Sequence, residues 1–407
     1  MSLVSKPSAI APLKQGFKMP LSSTINDLVK LFESAGYPLT STALLHRADV
    51  FLELSGEDIR RRLYLTQDAS GHEMCLRPEF TIPLCMEAVS AEANGAIRSA
   101  MSYCGPVFRH RAGENGEFTQ AGIESLGRPD KEAADAEVLA LALEASALLC
   151  TSQDRPIVRL GDAGLINGVL EALSASPAFT RRFKRRLAVG KTALNTGSVP
   201  DSTGLNRYAG VMAALEGAGP QAARSFVGDM LTISGVKASG GRTAEEIAAR
   251  FLSKAEQGGS GLSETKIQIL HRFLDISGNP DQVAEKVRRF AQDNALDIAA
   301  PLERYEARLG FMAAQGINLT EISASAGFVR NLDYYTGMVF EVTASLNSHK
   351  PLVGGGRYDG LLKRLGATNS TPSVGFSVWP ERFEKQPAPA ANTRDLRANA
   401  RSAGATQ

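Results

Sequence analysis

Cysteine is scarce in this chain of 407 residues, and the four present, Cys75, Cys85, Cys104 and Cys150, form no CxxC pair. Each sits among apolar neighbours, as reduced core thiols of a cytosolic protein do, and nothing suggests a disulfide framework. Long apolar runs are missing too. The longest, around Val138 to Cys150, is broken by Glu144 and too short to span a bilayer. The N-terminus lacks the charged-then-apolar pattern of a signal peptide, so the expected location is the cytoplasm. An excess of one charge is also missing. A net charge of +2 does not suggest a protein wrapped on nucleic acid. No fixed internal period marks a solenoid, and no Lys-Ser/Thr follows the one Gly-rich run, so it is not a phosphate-binding Walker loop.

What remains is a chain with ordinary globular composition, 43% hydrophobic and 22% charged, long enough for two or three domains. Its most informative stretch is Gly327 to Glu341, GFVRNLDYYTGMVFE. There Arg330, Asp333, Tyr334 and Tyr335 precede an apolar, β-branched run that reads as a buried strand. A strand-edge salt bridge with two core tyrosines would explain this. A polar pocket floor would too, since a guanidinium grips a carboxylate through two parallel hydrogen bonds and a phenol offers an apolar face with a polar tip.

Earlier in the chain, Ser22-Ser23-Thr24 can cap a helix carrying Ile25, Leu28, Val29 and Phe32, ended by Gly36. Leu63 to Thr66 and Glu73 to Leu76 flank a turn, Asp68 to Gly71, as a hairpin would. In CLRPEFTIPLC, Glu79 and Thr81 are two apart and face the same way if the chain is extended, where they could hold an ammonium group. An exposed turn carboxylate with a helix cap at Thr81 is the plainer alternative. Residues 103–127 read as two strands around a loop, with Arg109, His110 and Arg111 entering it and Gln120 and Glu124 projecting onto one face beyond it. That face is either solvated or lines a site. Lys131 to Cys150 predicts a helix, and Pro156 to Leu160 a strand. Residues 156–315 read as mostly helical, with about seven short helices by periodicity. The basic cluster Arg181, Arg182, Lys184, Arg185 and Arg186 reads as a solvated helix face. Three glycines before Arg357-Tyr358-Asp359 allow close backbone approach. Residues 371–383 close the ordered part with a strand, and 386–407 predict a disordered tail.

Taken together, the motifs resemble the catalytic core of class II histidyl-tRNA synthetases over about residues 10–150 and 318–383. LRPEFT resembles LRPE-x-T, FRHR with TQAGIESLG resembles motif 2, RNLDYYTGMVFE and GGGRYDGL resemble the two histidine-site signatures, and VGFSVWPERF resembles motif 3. The resemblance implies an α+β fold, an antiparallel sheet flanked by helices, with core segments 1–155 and 316–385, a mostly helical insertion 156–315 and a homodimer formed through the N-terminal region. It implies that Glu79, Thr81 and Gln120 hold a histidine ammonium, Arg330 its carboxylate, and Glu124 with Tyr335 its imidazole; Arg109 and Tyr334 join them in the histidine-binding set.

The ATP half departs from the synthetase pattern. Arg111 stands where the family has a glutamate, the motif 2 loop is shorter, and Trp379-Pro380 replaces a glycine that leaves room for adenosine. No anticodon-binding domain is recognisable after motif 3. A core that keeps amino-acid recognition without the rest resembles the regulatory subunit of ATP phosphoribosyltransferase. That resemblance implies no catalytic group, metal or cofactor, a short catalytic subunit as partner, L-histidine as feedback effector and no tRNA. The alternative is a divergent or truncated histidyl-tRNA synthetase-like ligase, favoured by the retained Arg109 and Arg382.

Overall fold

The computed structural model describes residues 22–55, 57–93, 99–150, 156–189, 262–330, 334–344 and 350–384. The N-terminal lead-in, residues 190–261 of the expected helical stretch, Asp333 and the tail lie outside the described residues. Contacts divide the chain into two units, one formed by residues up to Val158 with those from Phe340 onward, the other running from Arg159 to Val339. The expected division placed 316–339 with the first unit; the contacts place it with the second.

The first unit opens with helix α1 (Ser22–Ser34), whose Ile25, Leu28 and Phe32 recur at helical spacing and are buried. Gly36, at φ +89°, provides the left-handed turn that ends it. Next come β1 (Leu45–Arg47), α2 (Ala48–Leu54), α3 (Glu57–Arg60), β2 (Leu65–Gln67) and β3 (Glu73–Leu76). Strands β1 and β2 flank β3 antiparallel in a small sheet. The hairpin turn expected at Asp68 is there. Its Oδ1 accepts from the amides of Ser70 and His72, both at 2.9 Å, and Gly71 takes φ +82°.

Helix α4 (Thr81–Ala93) follows, then the long strands β4 (Ala100–Phe108) and β5 (Glu117–Leu126), paired antiparallel, and α5 (Lys131–Leu149).

In the second unit, β6 (Ile157–Asp162), which begins at the end of the first, leads into α6 (Ala163–Ala172) and α7 (Pro177–Val189). Beyond residue 261 come α8 (Glu264–Leu274), β7 (Ser277–Gly278), α9 (Pro280–Asp293), α10 (Ala299–Ala314) and β8 (Ile322–Ser325). Its strands run in the order β6-β8-β7. Asp162 accepts from the amides of Gly164 and Leu165 at the start of α6 and pairs with the buried Arg308 of α10. A capping box, Asn279 with Gln282, starts α9. On α7, Phe183 and Leu187 are buried while Arg181 and Arg182 are exposed, so these two cations lie on a solvated face.

The first unit resumes within β9 (Met338–Thr343), followed by β10 (Val353–Arg357), the short helix α11 (Leu361–Arg364), β11 (Ser373–Val378) and α12 (Pro380–Glu384). Its main sheet runs β4-β5-β11-β10-β9, with antiparallel pairing from β4 through β10. One face carries Ile123 and Phe376, and Phe32 of α1 meets Phe376 edge-on at 5.7 Å. Burying Phe32 completely contributes about 2 kcal/mol. The opposite face carries Gln120, Gly122, Glu124 and Gly375, and there the candidate site lies.

Candidate binding site on the main sheet

The site begins at the junction of β3 and α4. Arg77 donates from NH1 to the Thr42 carbonyl at 2.7 Å and from Nε to that of Pro106 at 2.9 Å. Its guanidinium lies 4.0 Å from the centre of the Phe80 ring, which stacks on Tyr103 at 4.5 Å. Burial pulls the Arg77 pKa down to about 10. These contacts pin the Pro78-Glu79 corner, and α4 starts directly after it.

Glu79 and Thr81 were expected to face the same way along an extended chain. The chain is not extended there: Thr81 is already the first residue of α4, as in the plainer alternative of a helix starting at Thr81. The buried Glu79 carboxylate turns back and accepts from the amides of Thr81, at 2.7 Å, and Ile82, at 2.8 Å. It thereby satisfies two of the orphan N–H groups at the helix start and meets the positive end of the helix dipole. Pro83 is tolerated because it falls in the first turn. Desolvation raises the Glu79 pKa, opposed by those two amides and by the charge of Arg109.

Gln120 and Glu124 do share one face of β5, as their spacing predicts. Their cross-strand neighbours are Gly105 and Met101 on β4, and Gly375 on β11 stands opposite Glu124. Arg109, expected on the strand entering the loop, lies just past the end of β4. Glu124 is 1% exposed. Its Oε1 accepts from the Thr81 hydroxyl at 2.6 Å, and its Oε2 accepts from the phenol of Tyr358. Glu124 has no ion-pair partner among the described residues. Desolvation therefore pushes its pKa up to about 8, with the two hydroxyl donors pulling the other way. A Cβ at position 375 would lie 2.0 Å from Glu124 Oε2 and 2.4 Å from the Ile123 carbonyl oxygen, so only glycine leaves room for the carboxyl.

Gln120, 2% exposed, has a side-chain oxygen buried with no hydrogen-bond partner. A buried acceptor left unmatched costs about 1–3 kcal/mol, which marks it as a place where a donor belongs. A carboxyl, a hydroxyl and an unmatched amide oxygen therefore lie along one sheet face and the helix start beside it. Such a set suits a small ligand with N–H donors. Among the described residues, no group of three His, Cys, Asp or Glu is placed to hold a metal ion.

Tyr358 lies in the GGGRYDGL run that resembles a histidine-site signature, but it was not itself placed in the binding set. The Arg357-Tyr358-Asp359 run was noticed, but its contact is 234 positions away in sequence. Arg357 is structural. It pairs with the buried Asp135 of α5 at 2.7 Å, with Asp359 at 2.9 Å and with the Lys131 carbonyl. Arg330, Tyr334 and Tyr335 lie in the second unit, where the two tyrosine rings are 5.0 Å apart.

Arg109, Arg111 and Arg382 are engaged by the protein itself. Arg109 donates to the Pro78 carbonyl at 2.7 Å. The Arg111 guanidinium covers the Phe118 ring at 3.9 Å and pairs with Glu114. Arg382 lies over the Trp379 ring at 4.3 Å and donates to the Pro351 carbonyl. Trp379 is itself buried, as a large indole replacing glycine should be.

The sheet and the helix that starts at Thr81 define a class II synthetase-like core. Solved structures share the fold. A Bacillus halodurans protein titled as an ATP phosphoribosyltransferase regulatory subunit/histidyl-tRNA synthetase superposes with a TM-score of 0.64 at 20% identity, over 98% of this chain and 92% of that one. The histidyl-tRNA synthetase from Nostoc gives 0.59 at 18% identity, over 93% of this chain and 72% of that one. The sequence profile of the histidyl-tRNA synthetase family matches residues 20–196 and 242–383. The ATP phosphoribosyltransferase regulatory subunits of Brucella ovis and Brucella abortus are each 38% identical over 353 residues, 85% of this chain and 92% of theirs. The chain belongs to the histidyl-tRNA synthetase-like family and, within it, to the ATP phosphoribosyltransferase regulatory subunits.

Proposed function

We propose that this chain acts as the non-catalytic regulatory subunit of an ATP phosphoribosyltransferase, the first enzyme of histidine biosynthesis. It joins a short catalytic subunit, is required for that subunit's activity, and carries feedback inhibition by L-histidine. The observation that carries the histidine half is the buried, unmatched oxygen of Gln120 on the same strand face as Glu124. An amino-acid ammonium supplies the donor that Gln120 lacks, and an imidazole N–H supplies one to Glu124, which fixes the tautomer of the ring. The assignment extends to Glu79, Thr81 and Arg109 as the frame of the pocket, and to Arg330, Tyr334 and Tyr335 as further histidine-binding residues. The geometric case is made by the first unit's residues alone.

Inhibition follows by linkage. Histidine shifts the complex toward whichever state binds it better, and a coupling of about 1–3 kcal/mol gives useful control. The engaged arginines and buried Trp379 support a lost synthetase activity over the ligase alternative. Self-association through the N-terminal region is supported by Leu39, Leu44, Leu45, Tyr64 and Leu65. All are exposed, and four of them lie on or beside the edge strands β1 and β2.

The test is reconstitution. Mixing the chain with a short catalytic subunit should produce a stable complex and switch on phosphoribosyl transfer, and histidine should then inhibit it. Calorimetry on the isolated chain should show histidine binding without histidine-dependent ATP–pyrophosphate exchange. Exchange above background would restore the ligase reading.

A further inference from the structure

Glu124 is held in an unusual way. Both carboxyl oxygens accept from hydroxyl groups, Thr81 on one side and Tyr358 on the other, and no cation balances it among the described residues. The other titratable groups around it do not supply one. Glu79 lies close enough to raise its pKa further, and Cys85 of α4 also hydrogen-bonds Tyr358, its own thiol raised by burial. Met101 on β4 and Gly375 on β11 carry no charge. Gly375 lacks the Cβ that would collide with Oε2, so the carboxyl is turned toward the phenol by fit as well as by hydrogen bonding.

We propose that Tyr358 is the positioning residue of the effector pocket, holding Glu124 in place and setting its charge, so that effector binding is coupled to release of a proton. The identity of the effector as histidine rests on the reading above; the hold of Tyr358 on Glu124 does not. In the free protein, burial without a counter-cation favours the protonated Glu124 carboxyl and raises its pKa to about 8. An entering N–H donor favours the carboxylate. The O–H bond of Glu124 then breaks, its proton passes to solvent, and the electron pair left on oxygen accepts the ligand's N–H. Before ionisation the carboxyl O–H donates to one of the two hydroxyls it faces; after it, Tyr358 and Thr81 both donate to Glu124 and stabilise the charged form.

The test uses the full chain and the Tyr358→Phe variant, which keeps the ring and removes only the hydroxyl. Histidine binding is followed by calorimetry from pH 6.5 to 8.5 in buffers of different ionisation enthalpy. The wild type should release a proton on binding, with affinity rising up to about tenfold per pH unit below the Glu124 midpoint. In Y358F the midpoint should move up by about half to one unit, and affinity at pH 7.5 should fall about three- to tenfold. The ligand's own titration is common to both proteins and cancels. An unchanged pH profile in Y358F overturns the proposal, as does binding with no proton exchange in the wild type. If histidine does not bind at all, the histidine reading fails. The proposal is then decided by the carboxyl resonance of ¹³C-labelled Glu124, whose titration must move to higher pH in Y358F. A Glu124 titration that ignores the loss of the phenol overturns it.

Discussion

Gln120 is the residue whose replacement separates binding from stability. Its side-chain oxygen is buried without a donor, so the free protein carries an unmet polar group. Gln120→Met removes that oxygen while keeping the length. Histidine affinity should fall at least about tenfold in calorimetry, while the melting temperature stays level or rises, because the orphaned acceptor is gone. Glu124 gives a second prediction, with its sign fixed by the direction of its shift. Its folded pKa of about 8 is raised above the ordinary carboxyl value. The folded state therefore holds the proton more tightly, and this stability, full in acid, is lost as pH rises from about 5 through 8. The slope from this one group reaches about 1.4 kcal/mol per pH unit, and Glu124→Gln should flatten that part of the curve in denaturant titrations without histidine. Glu79 is raised as well, so E124Q should leave a residual slope of the same sign. At this scale the sequence was readable for Gln120 and Glu124, because a two-residue period puts them on one face whatever the surroundings. For Tyr358 the motif was readable but the partner was not, since Glu124 is brought to it by the pairing of β5, β11 and β10 rather than by anything local.

At the scale of elements, β5 and β11 must approach closely beside a carboxyl, and Gly375 makes that possible. Gly375→Ala should destabilise the protein by about 3 kcal/mol, since the Ile123 carbonyl at 2.4 Å is backbone and cannot swing aside. It should also abolish histidine binding by displacing Glu124. Helix α4 depends on Glu79 for its first turn, and Glu79→Ala should cost about 1–2 kcal/mol in chemical unfolding. The hairpin at Asp68, α1 and α5 could all be read from turn residues and helical spacing. The start of α4 reads only as one of two alternatives, a helix cap at Thr81 against an extended chain. TIPLC contains a proline and two β-branched residues, which favour an extended reading, and the deciding contact is a cap from a glutamate two residues before the helix. The run Gly354 to Gly356 was equally opaque as a strand, because glycines show no alternation; its partner β11 supplies the pattern.

For the whole molecule, each unit is secured by a buried ion pair, Arg357 with Asp135 in the first and Arg308 with Asp162 in the second. Asp135→Ala removes one of the two carboxylates that hold Arg357 and leaves Asp359 in place. It should therefore lower stability by about 1.5–3 kcal/mol, and the loss should appear in the denaturation midpoint of the first unit. The family resemblance was legible because several motifs recur in order. The division into units was less so, since the Gly327 to Glu341 stretch reads as one motif but spans the junction at Val339 and Phe340. Among the described residues, no helix is long and apolar enough to cross a membrane.

The stacked arginines bear on what mutation can reach from this sequence. Arg111 rests on Phe118, while Arg382 rests on Trp379 and holds the Pro351 carbonyl. Clearing one aromatic surface leaves the other still covered by its own cation. Changing Trp379 alone strands Arg382 without its ring, and changing Arg111 alone leaves the indole in place. Neither single change undoes both stacked pairs, so a selection for ligase activity starting from this chain should need at least two substitutions.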